Sequence, residues 1–366
     1  MATKKTVRRA VTRPSVAGMA SKSATAKSAK GESPKPVTLQ RSASMATAQA
    51  QPRAVIYMHG LGNKPTQAVL RCQWDNALFG RAMGKRTRLA YWVNRDRYPT
   101  PEPGTCDDRD QGPTLKPAQQ RVLRALGTEA APDLLDLANA VAGTPAEAAL
   151  LKTMLKELGA TTPRATLDPA RRGLLDTFNR ILLRLISVAL LQDVHDFFFD
   201  RTRREVMERS LLERMGPDGG PFVVISHSLG SVIAYEVLRK LDPARHDVAL
   251  FVTLGSPLGL PSVRSMFKRS LKEQGLPKRD KLPFPACVRH WYNVADRQDP
   301  VALDGNLSDD IDTPGQRFSN LQGMDVNADS PRNPHSGSGY LSNLHVRAKV
   351  RQLFGPASAS RFPMPS

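Results

Sequence analysis

The serine at the centre of Ser226-His227-Ser228-Leu229-Gly230 is the residue best placed to do covalent chemistry. It follows an apolar run, Pro221 to Ile225, that reads as a buried strand. It precedes Ser231 to Leu238, which reads as a helix. A strand that turns directly into a helix needs small residues around the turn. It exposes the central side chain at the carboxyl edge of the sheet. The start of the helix adds N–H groups and the positive end of a dipole, where a developing oxyanion would be held. That is the equipment for attack on a carbonyl. A serine that only caps the helix would need no base and no acid, so the partners decide between the two roles.

Candidate partners stand further along. Trp291 to Val301 reads as a strand ending in an acidic turn that carries Asp296 and Asp299, although aspartate also favours turns for backbone reasons alone. The seven histidines are His59, His195, His227, His246, His290, His335 and His345. His335 lies in the loop Pro331 to Gly337, whereas His345 sits inside a helical pattern, Tyr340 to Phe354. A loop at a sheet edge can present an imidazole to a serine; a mid-helix position usually cannot. Arg53 to Gly62 reads as a short strand ending in His-Gly, where glycine lets backbone approach a substrate closely.

The elements that must position these residues alternate along the chain. Strands are expected at Arg53–Met58, Leu89–Val93, 221–226, 248–254 and 287–294, with a weaker one near 317–326. Helices are expected at 229–241, near 261–275 and at 338–354. Alternation of this kind predicts an α/β fold, a mostly parallel sheet flanked by helices. Residues 95–220 interrupt it as a long insertion before the serine strand. Its first part, Arg95 to Pro117, reads as loop, and Ala118 to Met215 reads as largely helical. Within it, Leu174, Phe178, Ile181, Leu185 and Val188 fall at helical spacing. The segment is too short and too charged to span a bilayer. A core helix is the first expectation for it, and a cap over the site or a membrane contact the second.

Five segments, Arg53–Pro65, Phe222–Leu238, Phe251–Gly259, Trp291–Val301 and His335–Val350, together resemble the lipase and esterase branch of the α/β-hydrolase superfamily. The resemblance covers roughly two-thirds of the chain, with Ser226 where the usual G-x-S-x-G motif has its first glycine. It implies an α/β-hydrolase fold whose sheet begins at what is normally the third strand. It implies that Ser228 stands on the nucleophile elbow, and that the amides of Leu61 and Leu229 form the oxyanion hole. The order serine, acid, base of that fold leaves His335 and His345 as candidate bases. His335 is preferred for its loop. Asp299, before Pro300-Val301, is preferred as the acid over Asp296. The implied activity is hydrolysis of a carboxylic ester, of a lipid or another apolar acyl compound, with no metal or organic cofactor. An amidase, peptidase or thioesterase with the same triad, or a non-catalytic membrane-associated protein of the same fold, are the alternatives.

Composition frames this. Residues 1–50 carry ten Lys or Arg against one acid, Glu32, a net +9 of the formal +19. With almost no large apolar residues they are expected to be a disordered basic tail, dispensable for chemistry. They have no apolar stretch that would make them a secretory signal. The hydrolase domain is expected at 51–366. A basic tail favours an anionic membrane surface; nucleic acid is not expected as a partner. Cys72, Cys106 and Cys287 are odd in number and widely spaced, which suits unpaired thiols in a reducing, cytoplasmic compartment. No phosphate-binding loop or dinucleotide fingerprint is present.

Overall fold

The computed structural model describes residues 52–110, 134–157, 191–217, 219–277, 280–302 and 304–353. Continuous apolar runs become strands buried on both faces, as parallel sheets require, and only the edge strand Phe318–Gly323 is polar and partly exposed. They are β1 (Ala54–Met58), β2 (Thr87–Ala90), β3 (Gly219–His227), β4 (His246–Leu254), β6 (Trp291–Asp296) and β8 (Phe318–Gly323). These form one six-stranded sheet in the order β2-β1-β3-β4-β6-β8, and every pairing in it is parallel. Two short strands, β5 (Leu282–Pro283) and β7 (Ile311–Asp312), pair separately.

The period-two alternation of strand side chains divides the core. Ala54, Ile56 and Met58 of β1 and Phe222 and Val224 of β3 face one cluster. Val55, Tyr57, Val223 and Ile225 face the other. The first cluster is covered by α2 (Leu134–Val141), α3 (Pro145–Glu157), a helical stretch at 191–198, α4 (Arg201–Met215), α5 (Leu229–Lys240) and α6 (Pro261–Glu273). The second is covered by α1 (Gln67–Phe79), α7 (Gly337–Leu341) and α8 (Leu344–Gln352). The result is an α/β protein, a parallel sheet with helices on both faces.

Strand order reverses at β1: the chain leaves β1 toward β2 on one side and later adds β3 on the other. Loops diverge at such a switch point and open a crevice at the carboxyl ends of the strands. The loops after β1, β3, β6 and β8 all emerge at that end.

Three expectations need correction. The second strand ends at Ala90, because Trp92 turns its amide to the His59 ring at 3.0 Å and leaves the ladder. The helix expected over 338–354 is two helices, α7 and α8. Asn343 breaks it by capping α8, its side chain accepting from the amides of His345 and Val346. Cys72 and Cys106 are paired as a disulfide, Cα to Cα 5.1 Å apart, while Cys287 is free and buried. The pair lies 34 residues apart in sequence. It meets only because the loop after β2 docks on α1, where Gln73 and Asn76 donate to the carbonyls of Thr105 and Cys106. The cysteine count therefore gives no argument for a reducing compartment. Residues 1–50 and the segment Leu174–Val188 lie outside the described residues. Among the described residues no helix is long and apolar enough to cross a membrane.

Candidate active site

Ser228 stands between β3 and α5 with φ 54° and ψ −134°, a backbone geometry rare for a side-chain-bearing residue. The turn is packed tightly around it. A Cβ at Gly230 would lie 2.2 Å from the carbonyl oxygen of His59, so only glycine lets α5 start this close to the β1 loop. Ser226, two residues before Ser228, is accommodated in the strand. Its hydroxyl is buried and donates to the carbonyl of Val252 in β4 at 3.0 Å.

The structure brings Ser228, His335 and Asp299 together. The Ser228 hydroxyl lies 2.9 Å from His335 Nε2. His335 Nδ1 lies 2.9 and 2.8 Å from the two carboxylate oxygens of Asp299. With Nδ1–H donating to the carboxylate, Nε2 is left as the acceptor for the serine proton. All three residues are buried, which corrects the expectation of an exposed serine: the loop after β1 packs over it, so closely that a Cβ at Gly60 would lie 2.8 Å from Ser228 Cβ. His345 is exposed in the first turn of α8 and takes no part.

Asp296 and Asp299 share one tight turn, closed by Asp299 N–H donating to Asp296 C=O, yet their carboxylates do different work. Asp299 receives His335, the amide of Val301 at 2.9 Å and the hydroxyl of Tyr340 at 2.8 Å. Burial, followed by the charge of Asp299, holds the Tyr340 phenol well above its ordinary range, so it stays a donor. Asp296 instead accepts from Gln298 N–H, Asn327 N–H and the Ser330 hydroxyl, each at 2.8 Å. The Asn327 side chain then donates to the carbonyls of Pro334 and Ser336, on either side of His335. Asp296 thus secures the loop that carries the imidazole.

A second brace comes from Asp110. Its carboxylate takes Lys64 Nζ at 3.1 Å and Trp74 Nε1 at 2.8 Å, and its backbone bonds to Ser336 and Ser338. The Lys64–Asp110 ion pair is fully buried, which is tolerable because both charges are also hydrogen-bonded or paired.

Two further imidazoles flank the site and are held neutral. His59 Nδ1–H donates to Gly60 C=O at 2.7 Å, and Nε2 accepts from Trp92 N–H. Burial pushes its pKa down to about 3. His227 lies with its ring 4.7 Å from that of His335, and neither of its ring nitrogens has a hydrogen-bond partner among the described residues. Burial first, and the charge of His335 second, push it well below the ordinary value.

Leu61 and Leu229, the two amides expected at an oxyanion, lie on the loop after β1 and at the first position of α5. The first N–H of a helix has no intrahelical acceptor, so that of Leu229 is available. The loop after β1 is held from outside: Gly62 N–H donates to the Asp193 carboxylate at 2.8 Å. Beneath the acid, Gly255 has φ 54°, and a Cβ there would lie 2.6 Å from Asp299 Oδ2. The roles of Asp110, Asp193 and Gly255 are not predicted by the sequence, and Tyr340 enters there only through its spacing from His335. The one local signal was an acid in an apolar run, Asp193 amid Leu191, Val194 and Phe197; the rest depend on contacts distant in sequence.

No cluster of three or more His, Cys, Asp or Glu is placed to hold a metal among the described residues. The chain matches no protein-family model and no curated protein sequence.

Proposed function

We propose that this chain is a serine hydrolase of the α/β-hydrolase fold that cleaves a carboxylic ester through an acyl-enzyme. The observation that carries the reading is the continuous hydrogen-bonded line Ser228–His335–Asp299, with the serine at a positive φ on a strand-to-helix turn. Geometry of this type is a better guide to role than sequence position.

In this mechanism His335 Nε2 takes the Ser228 proton as the oxygen attacks the ester carbonyl. Asp299 orients the ring and stabilises its charged form. The amides of Leu61 and Leu229 receive the oxyanion, each donor worth about 3 kcal/mol. His335 returns the proton to the leaving alcohol. Water, deprotonated by the same ring, then releases the acid. The ester of an apolar acyl group is the favoured substrate on the resemblance of the sequence to lipases and esterases.

A fluorophosphonate probe tests the reading. It should label the wild-type chain at Ser228, and Ser228→Ala should lose both labelling and ester turnover. His335→Ala should lose orders of magnitude in kcat, and His345→Ala little. Absence of labelling in the wild type, or full labelling of Ser228→Ala through Ser226 or Ser231, would overturn it. Profiling short and long esters against amides and thioesters fixes the acyl donor.

A further inference from the structure

Asp193 is a buried acid without an evident packing reason. It sits on the helical stretch 191–198, in the insertion before β3, where its neighbours Leu191, Val194 and Phe197 all belong to the core. Burying a carboxylate is costly unless it is paired and hydrogen-bonded. Asp193 has two partners. Oδ2 accepts Gly62 N–H at 2.8 Å, from the loop after β1, and Oδ1 accepts from Arg97 Nη1 at 3.0 Å, from the loop after β2. Arg97 also spans to Asp196, which is approached by Asn94 Nδ2 at 3.4 Å and Arg203 Nε at 3.8 Å. Three separate chain segments therefore meet at this carboxylate.

We infer that Asp193 is a positioning residue for the oxyanion hole: the insertion reaches back and fixes the loop that presents the Leu61 amide. This rests on the hydrolase reading above. The peptide unit Leu61–Gly62 is rigid and planar. Pinning its N–H to Asp193 sets the orientation of that plane. Only the torsions at Leu61 then separate it from the neighbouring plane, which carries the Leu61 N–H. An oxyanion donor is effective only when it is aimed in advance at the place where charge develops. Burial pushes the Asp193 carboxyl up to about 6, and the Gly62 amide and Arg97 act against that rise. At neutral pH it remains an ionised acceptor, which strengthens the bond to Gly62. The insertion is thus coupled to the chemistry through one hydrogen bond, in addition to any contact it makes with substrate.

The test uses the full chain with Asp193→Ala and Asp193→Asn, two readouts and a short-chain ester. Asn keeps a carbonyl that can accept from Gly62; Ala keeps nothing. Turnover is expressed per active site titrated with the fluorophosphonate, so that misfolded protein does not count. Asp193→Ala should lower kcat about 10- to 100-fold with KM changed less than about threefold, since a displaced donor weakens the transition state and not substrate binding. Asp193→Asn should recover most of that loss. Hydrogen exchange of the peptide spanning residues 58–65 should speed up in Asp193→Ala and much less in Asp193→Asn. Wild-type kcat per titrated site in Asp193→Ala, or unchanged exchange in that peptide, would overturn the assignment. If the wild type itself neither labels nor turns over ester, the hydrolase reading falls. The exchange measurement still decides whether Asp193 holds the loop.

Discussion

Replacing Gly255 with alanine should damage the site more than its size suggests. Gly255 follows β4 at φ 54°, and its amide donates to Val294 C=O at 3.0 Å, so the backbone cannot rotate away. Holding an L-residue in this left-handed region costs about 1–2 kcal/mol. The new methyl would lie 2.6 Å from Asp299 Oδ2, 2.8 Å from Tyr340 Cε2 and 3.3 Å from His335 Nδ1. To regain an ordinary 3.4 Å contact the carboxylate must retreat by about 0.8 Å. Overpacking of this kind adds about 1–3 kcal/mol, giving a total loss of about 2–5 kcal/mol in unfolding free energy. A displacement approaching 1 Å in the reacting constellation costs up to about 100-fold in rate. We expect kcat to fall about 10- to 100-fold, with KM nearly unchanged. Urea denaturation gives the first quantity, and ester turnover per titrated site the second. Gly275→Ala is the control: Gly275 has a similar φ of 73° but no atom within 4 Å of an added Cβ. It should lose about 1–2 kcal/mol of stability and no kcat. Wild-type kcat in Gly255→Ala, or an equal kcat loss in Gly275→Ala, would refute the reasoning.

Other perturbations have equally definite outcomes. Tyr340→Phe removes the donor to Asp299 and strands the buried Asp296 amide that the hydroxyl accepts at 2.9 Å. It should cost about 1–3 kcal/mol in urea denaturation and about tenfold in kcat, and unchanged values in both assays would exclude the role. His59 is neutral when folded, its pKa pushed down to about 3, and titrates near 6.5 when unfolded. The unfolded chain therefore binds the extra proton. The stability His59 contributes is complete above pH 6.5 and is lost as pH falls toward 3, at up to about 1.4 kcal/mol per pH unit. Denaturation between pH 6.5 and 4.5 should show a shallower loss in His59→Gln than in the wild type, and identical slopes would contradict it. Replacing Cys72 and Cys106 with serine opens a loop closed across 34 residues. Chain entropy sets the loss at about 4 kcal/mol, read as a lower denaturation midpoint, and an unmoved midpoint would show that the bond adds nothing.

Local pattern made some features legible. The apolar run into Ser228 and the helix after it mark the turn, because strand and helix periods differ and the change of period falls at one residue. The alternation of elements gave the parallel sheet. The order serine, acid, base that the family resemblance implies brings Asp299 and His335 forward as candidates. Their geometry could not be read: Asp296 and Asp299 have the same turn-forming character, and only the fold shows that one carboxylate meets His335 while the other holds Asn327. Asn343 is visible as a helix breaker in hindsight, but the apolar spacing across it continues, so one helix was expected where two exist. The disulfide, the Lys64–Asp110 pair and the bond from Gly62 to Asp193 join residues 34, 46 and 131 positions apart. Contacts of that separation arise from docking of whole elements, and the one local trace among them, an acid in the apolar run around Asp193, does not name its partner.

The direction of β1 fixes how the molecule can be attached to anything else. Arg53 enters beside Pro221 at the amino end of the sheet, its amide donating to the Pro221 carbonyl at 2.8 Å. The loop that leads to Leu61 departs from the other end. Five residues of strand separate the two, about 16 Å at the rise of extended chain. Arg53 and Ser228 therefore lie at opposite ends of the sheet. A linker to a bead, a sensor surface or a second protein attached at the amino end of the sheet would leave the Ser228 end facing outward, and orientation would come from the strand direction with no engineering of the site itself.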